Sequence, residues 1–172
     1  MQSAFVMTVI GKDRPGLIES IARLVAEHGG NWLESRMCRL GGEFAGILRI
    51  DVPQGTQGLI ESLQGLQAEG ITVIIRPGQP EFRATQAKTA SLSLIGQDRP
   101  GIIHQISAAL ANHNINVEEL ETECSSAPMS GETIFKAIAR LQIPETCVIS
   151  DLRRELEEIG SELLVEISFS ET

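Results

Sequence analysis

Two six-residue stretches carry an unusual density of chemistry, GKDRPG at Gly11–Gly16 and GQDRPG at Gly96–Gly101. Each sets a carboxylate, a guanidinium, a proline and two glycines between two aliphatic runs. A loop from the carboxyl end of a strand to the amino end of a helix presents N–H groups without intrahelical partners, and the helix dipole there favours an anion. A small carboxylate suits that environment, and Gly11, Gly16, Gly96 and Gly101 lack the Cβ that would hold a ligand away from the backbone. Asn31 and Asn116 follow the helix in each copy. Their amides both donate and accept, which suits the two ends of an amino acid. Arg14 and Arg99 are either ligands or solvated loop-tip cations. The motif also has a reading without any ligand: Asp13 or Asp98 as the helix N-cap, with Pro15 or Pro100 in the first helical turn.

The elements that position these residues come from a duplication. Shifting the chain by 85 positions lays Val9–Glu34 over Leu94–Glu119 without a gap, with 12 of 26 positions identical, including His28/His113 and Asn31/Asn116. In each copy a Val/Ile/Leu-rich strand (SAFVMTVIG, KTASLSLIG) ends on a glycine before the loop. A helix follows, its buried face expected from Leu17, Ile18, Ile21, Leu24 and Val25, or from Ile102, Ile103, Ile106, Ala109 and Leu110. Gly29, Gly30 and Asn114 are candidates for the left-handed residue that ends it. Two strands come next, Trp32–Leu40 and Phe44–Val52 around a Gly41-Gly42 turn, or Val117–Cys124 and Thr133–Ile143 around the polar insert SSAPMSGE. A second helix (Leu59, Ile60, Leu63, Leu66; Ile149, Leu152, Leu156, Ile159) leads to a last strand, ITVIIRP or ELLVEISF. The order strand, helix, strand, strand, helix, strand predicts an α+β chain of two tandem ferredoxin-like βαββαβ units, with antiparallel sheets and helices on one face. The expected organisation is a unit over 1–76, a linker over 77–88 and a unit over 89–172. Units this small have narrow stability margins, so sheet edges or helices are expected to pair, giving a homo-oligomer.

Composition narrows the function. Of 172 residues, 42% are hydrophobic and 22% charged, the balance of a folding domain. Lys+Arg 14 against Asp+Glu 23 gives a net charge of -9, which repels a phosphate backbone, and there is no tyrosine for base stacking. Direct nucleic-acid binding is not expected. No apolar run reaches the roughly 18 residues of a membrane span and MQSAFVMTVIG lacks a signal-peptide pattern, so a cytoplasmic protein without membrane contact is expected. Cys38, Cys124 and Cys147 fit neither a disulfide framework nor a zinc site and are expected as reduced thiols in or near the core. His28 and His113 read as helix-terminal residues, because no Ser, Cys or Asp motif accompanies them. Neither a catalytic group, a metal nor a cofactor is implied. An acylphosphatase-like enzyme, with Arg14 or Arg99 and an Asn holding phosphate, and a dimerisation module that binds nothing are the alternatives on the same fold.

The strand-Gly, Asp-Arg-Pro-Gly, aliphatic helix and Asn of GKDRPGLIESIARLVAEHGGN and GQDRPGIIHQISAALANHNIN resemble the ACT domain, a regulatory module that binds small molecules on many amino-acid enzymes. The resemblance covers nearly the whole chain, twice. A tandem pair without a catalytic domain is similar to the glycine cleavage system transcriptional repressor group, which LGGEFAGILRIDVP also fits. It implies a small amino acid, of glycine or serine type, bound where units meet. The implied shell is Gly11, Asp13, Arg14, Pro15, Gly16 and Asn31, with Gly96, Asp98, Arg99, Pro100, Gly101 and Asn116 in the second copy. It further implies a protein partner, such as a transcription factor, in place of DNA. Gly29-Gly30 and Trp32 in one copy against Asn114-Ile115 and Val117 in the other imply unequal sites.

Overall fold

The computed structural model describes residues 2–53, 57–78, 88–126 and 131–171. The chain divides into two units, Met1–Phe82 and Arg83–Thr172. The first contains β1 (Gln2–Lys12), α1 (Leu17–Glu27), β2 (Asn31–Leu40), β3 (Glu43–Pro53), α2 (Gln57–Gly65), a 3-10 turn (Leu66–Glu69) and β4 (Ile71–Pro77). The second contains β5 (Lys88–Gln97), α3 (Ile102–Asn112), β6 (Asn116–Ser126), β7 (Thr133–Ile143), α4 (Ile149–Leu163) and β8 (Val165–Glu171). Each unit is a four-stranded antiparallel sheet, in the order β2-β3-β1-β4 or β6-β7-β5-β8. This is the expected α+β pair of ferredoxin-like units.

Strand alternation decides which sheet face is dry. Met7 and Val9 of β1 and Leu48, Ile50 and Val52 of β3 point to one side, where they meet Leu17, Ile21 and Val25 of α1 and Leu59 and Leu63 of α2. In the second unit Leu92 and Leu94 of β5 and Ala139 and Leu141 of β7 meet Ile106 and Leu110 of α3 and Leu152 and Leu156 of α4. Both helices of a unit therefore cover the same face. The β2-β3 hairpin closes on Gly41 and Gly42, with φ of 62° and 87°, the two consecutive positive angles that a tight primed turn requires. The edge strands β2 and β6 carry an irregularity at the same place, between Trp32 and Glu34 and between Val117 and Glu119. The copying thus extends to a backbone distortion.

Several details differ from the sequence expectation. Ile18 is 48% exposed, and Leu24 and Ile103 are half-buried, so the apolar stripe on α1 is wider than the face it buries. Gly29 and Asn114 take the left-handed conformation at the helix ends, but Gly30 does not. A Cβ on Gly30 would lie 2.8 Å from Val52 Cγ1 and 2.9 Å from Val25 Cγ1, so that glycine serves packing. Glu162 and Leu163 close α4 before β8 begins, because Leu164, at φ 56°, ends the helix there. Cys38 and Cys124 are exposed on the edge strands and Cys147 is half-buried, so the first two are not core thiols. Arg76 and Pro77 belong to β4, and Gly78 N–H still donates to Ala4 O at 2.7 Å. The rest of the expected linker before Lys88, residues 79–87, and residues 127–130 of the polar insert lie outside the described residues.

Candidate functional site

The repeated loop is shaped mainly by its backbone. Asp13 N–H donates to Gly42 O at 3.0 Å, and Asp98 N–H to Thr133 O at 2.9 Å, which ties each loop to the neighbouring hairpin. Gly16 (φ 86°) and Gly101 (φ 95°) then turn the chain through the left-handed region into α1 and α3. These glycines are the caps. Neither Asp13 nor Asp98 gives the helix a side-chain cap, and Pro15 and Pro100 precede the helices, so the capping expected of all four is not realised. The reason is geometric: once the αL glycine occupies the cap position, the aspartate lies three residues before it, outside the reach of a cap. Ser20 N–H and Gln105 N–H donate to Gly16 O and Gly101 O at 2.9 and 3.0 Å, beginning the helical ladder.

The first glycine of each motif has a different task. Gly11 is buried opposite Ile71, and a Cβ on it would lie 2.9 Å from Gly70 O and 3.2 Å from Ile71 Cα. For Gly96 the same atom would run into Val165 Cγ1 and lie 2.9 Å from Val165 Cα. These glycines let β1 approach β4, and β5 approach β8. By contrast, the Cβ positions of Gly16 and Gly101 face open space.

The side-chain electrostatics of the two loops diverge. In the first unit Arg39 Nε lies 2.7 Å from Asp13 Oδ2, and Arg14 Nη2 lies 2.6 Å from Glu69 Oε2. Both loop charges are neutralised from within the unit. The pairing registers make Cys124 the equivalent of Arg39 and Leu163 the equivalent of Glu69. Asp98 accordingly has no ion-pair partner among the described residues, and Arg99 only donates to Gln97 Oε1 at 3.3 Å. Arg39 and Glu69 were not legible as site residues, because nothing in their own neighbourhood marks them. Comparison of the copies at Arg39/Cys124 is the signal that finds them.

The asparagines stand apart from the loops. Asn31 pairs with Asp51, which pairs with Ala4, whereas Gly11 pairs with Phe44. Asn116 reaches Thr89 through Gln142 in the same way. Along the central strand this is seven residues from either first glycine, or about 23 Å at roughly 3.3 Å per residue. Within one unit, loop and asparagine lie at opposite ends.

The histidines are the helix ends they were expected to be. His28 and His113 are the C-caps of α1 and α3. His28 Nδ1 contacts Leu24 O at 2.8 Å, and His113 Nε2 contacts Glu155 Oε2 at 2.9 Å, joining α3 to α4. Burial, then the nearby Asp151 carboxylate, raises the Cys147 thiol pKa, the opposite of activation. Among the described residues no three His, Cys, Asp or Glu gather as a metal site, and no helix is long and apolar enough to cross a membrane.

Two family models, each described as the ACT domain, match residues 3–74 and 90–143. The chain belongs to the ACT domain family. It is 30% identical over 128 residues to the glycine cleavage system transcriptional repressor of Escherichia coli (strain K12), covering 73% of this chain and 67% of that protein. A UPF0237 protein of Pyrobaculum aerophilum is 38% identical over 80 residues, 46% of this chain and 82% of that protein. A solved structure of an unknown protein from Galdieria sulphuraria has a TM-score of 0.88 at 26% identity, covering 100% of this chain and 99% of that one. The fold of both units is thus matched along the whole of that solved chain.

Proposed function

We propose that the protein is a non-catalytic, amino-acid-responsive regulator that acts in the cytoplasm. A small amino acid binds where ACT units meet, and the complex changes affinity for a protein partner such as a transcription factor. The pathway under control is amino-acid metabolism, glycine in particular, as the name of the E. coli relative suggests. Family membership supports the regulatory role, and the net charge of -9 supports a protein partner in preference to DNA.

The observation that carries the interfacial placement is the strand register. Because loop and asparagine are seven residues apart along the sheet, a shell holding both takes the loop from one unit and the asparagine from another. Gly11, Asp13, Arg14, Pro15, Gly16 and Gly96, Asp98, Arg99, Pro100, Gly101 then supply the anion-facing side, and Asn31 or Asn116 the polar amide. Coupling to the partner follows if the ligand binds one arrangement of units more tightly than another. A homo-oligomer is the assembly this reading favours.

A scaffold that binds no ligand is the second reading, favoured by the ion pairs that already occupy Asp13 and Arg14. A thermal-shift panel of the twenty amino acids on the full chain separates them. A melting temperature that rises with concentration of one class supports the sensor. A flat panel refutes it, leaves the scaffold, and makes a partner pull-down the next experiment.

A further inference from the structure

The sheet face opposite the helices carries a cluster of exposed isoleucines in each unit. Strand alternation points Ile10, Ile47 and Ile74 outward in the first unit and Ile95 and Ile138 in the second, and all five are between 42% and 59% exposed. In the first unit they ring Thr8: Ile47 and Ile74 stand directly opposite it on β3 and β4, and Ile10 follows it by two residues. Ile95 and Ile138 are the equivalents of Ile10 and Ile47, placed around Ser93. A β-branched side chain suits a strand anywhere, and a lone exposed one needs no partner. A cluster repeated at the same register, on a face where a solvated sheet alternates to polar residues, calls for a cover.

The two faces differ in relief and in sign. The register that sets Ile74 opposite Thr8 sets Ser168 opposite Ser93, so the third isoleucine becomes a serine in the second unit. A shallow hollow of about 200 Å³ lies there, bordered by Ser93, Ile95, Ile138, Glu166 and Ser168. The first face thus projects where the second is depressed. Charge follows the same division. Outward on the first sheet are Arg36, Arg49 and Arg76 against Glu34 and Asp51, with Lys12 opposite Glu43 at the margin. On the second are Lys136 and Arg140 against Glu119, Glu121, Glu123 and Glu166. Pairs within a sheet, Arg49 with Glu34, Lys136 with Glu123 and Arg140 with Glu119, leave those totals unchanged. One face is net positive in a chain of net charge -9, and the other is net negative.

Independently of whether an amino acid binds, we infer that these faces form a homodimer interface, the outer sheet face of the first unit packing on that of the second unit of another copy. Opposite sign and opposite relief favour this pairing over like faces, which would set arginines against arginines or glutamates against glutamates. Area points to a reciprocal contact. Four strands about 4.8 Å apart, sharing about seven residues at about 3.3 Å each, make a face of about 440 Å². One such contact buries about 900 Å² in total, less than the roughly 1,200 Å² at which stable interfaces begin. A two-fold axis applies the contact twice and reaches about 1,800 Å². Sheets packed face to face at about 10 Å bury the isoleucines as a further core.

The test is the mass of the full chain in low salt, by light scattering and sedimentation, at about 50 μM, where interfaces of this size are formed. A dimer is expected. A monomer overturns the inference, including the case in which the two faces of one chain cover each other. Ile74→Glu and Ile138→Glu, at exposed positions in different units, should each weaken the dimer at least tenfold while leaving circular dichroism unchanged. A dimer that survives both is held by other surfaces and overturns the assignment. Charge reversal reads the pairing: Arg76→Glu alone should weaken the dimer, Glu121→Lys with Glu166→Lys should do the same, and all three together should recover most of the loss. A combination weaker than either part overturns the pairing of unlike faces. The amino-acid response is read separately by the thermal-shift panel, so either result can fail without the other.

Discussion

Adding one methyl group at Gly11 separates a packing role from a ligand role for the first glycine of the motif. The Cβ of Gly11→Ala would lie 2.9 Å from Gly70 O and 3.2 Å from Ile71 Cα, both backbone atoms of the adjoining strand and its lead-in. No side-chain rotation relieves those contacts, so β1 and β4 must move apart where both are buried. Overpacking of this kind costs about 1–3 kcal/mol. With an m-value near 1 kcal/mol/M for so small a unit, the urea midpoint should fall by about 1–3 M. Trp32, the sole tryptophan, lies in the first unit, so its fluorescence follows that unit's unfolding. A midpoint unchanged within the equivalent of about 0.5 kcal/mol, accompanied by loss of amino-acid binding, would refute the packing role and return Gly11 to the ligand shell.

Gly101→Ala meets no steric obstacle but must hold φ near 95°, so it should destabilise the second unit by about 1–2 kcal/mol, measured by circular dichroism against urea. The same strain applies to valine at Gly16 or Gly101, so loss of binding in either valine variant is interpretable only beside its unfolding curve. Arg39→Ala removes an ion pair whose arginine is 70% exposed; stability should change by less than about 1 kcal/mol. His113→Ala loses the 2.9 Å contact that joins α3 to α4 and should cost about 1 kcal/mol in the same urea titration. Iodoacetamide at pH 8 should modify exposed Cys38 and Cys124 first and Cys147 slowly, because burial and Asp151 raise the Cys147 pKa; peptide mass spectrometry would reveal any reversal of that order.

Period and punctuation made the units legible. The 3.6-residue spacing of α1 and α3, the Gly41-Gly42 turn and the duplicated order of elements all act locally, so they can be read from neighbouring residues. What could not be read depends on register. Whether Arg39 reaches Asp13, or Gly11 packs on Ile71, is decided by which residues of distant strands stand opposite one another. The same holds for Asn31, which adjoins the motif in sequence by way of one helix and is displaced from it along the sheet by seven residues. Cap assignment failed for a more local reason: Asp and Pro are good caps only where no glycine follows to take the left-handed turn.

The motif's duplication can now be divided into what stability explains and what it leaves over. Gly11 and Gly96 are needed for strand contact, and Gly16 and Gly101 for a positive φ. The aspartates tie the hairpins through their N–H groups, which any residue but proline would supply. The aspartate and arginine side chains are therefore the part of the repeat without a shared structural role. In the first unit they are engaged by Arg39 and Glu69, residues the second unit lacks.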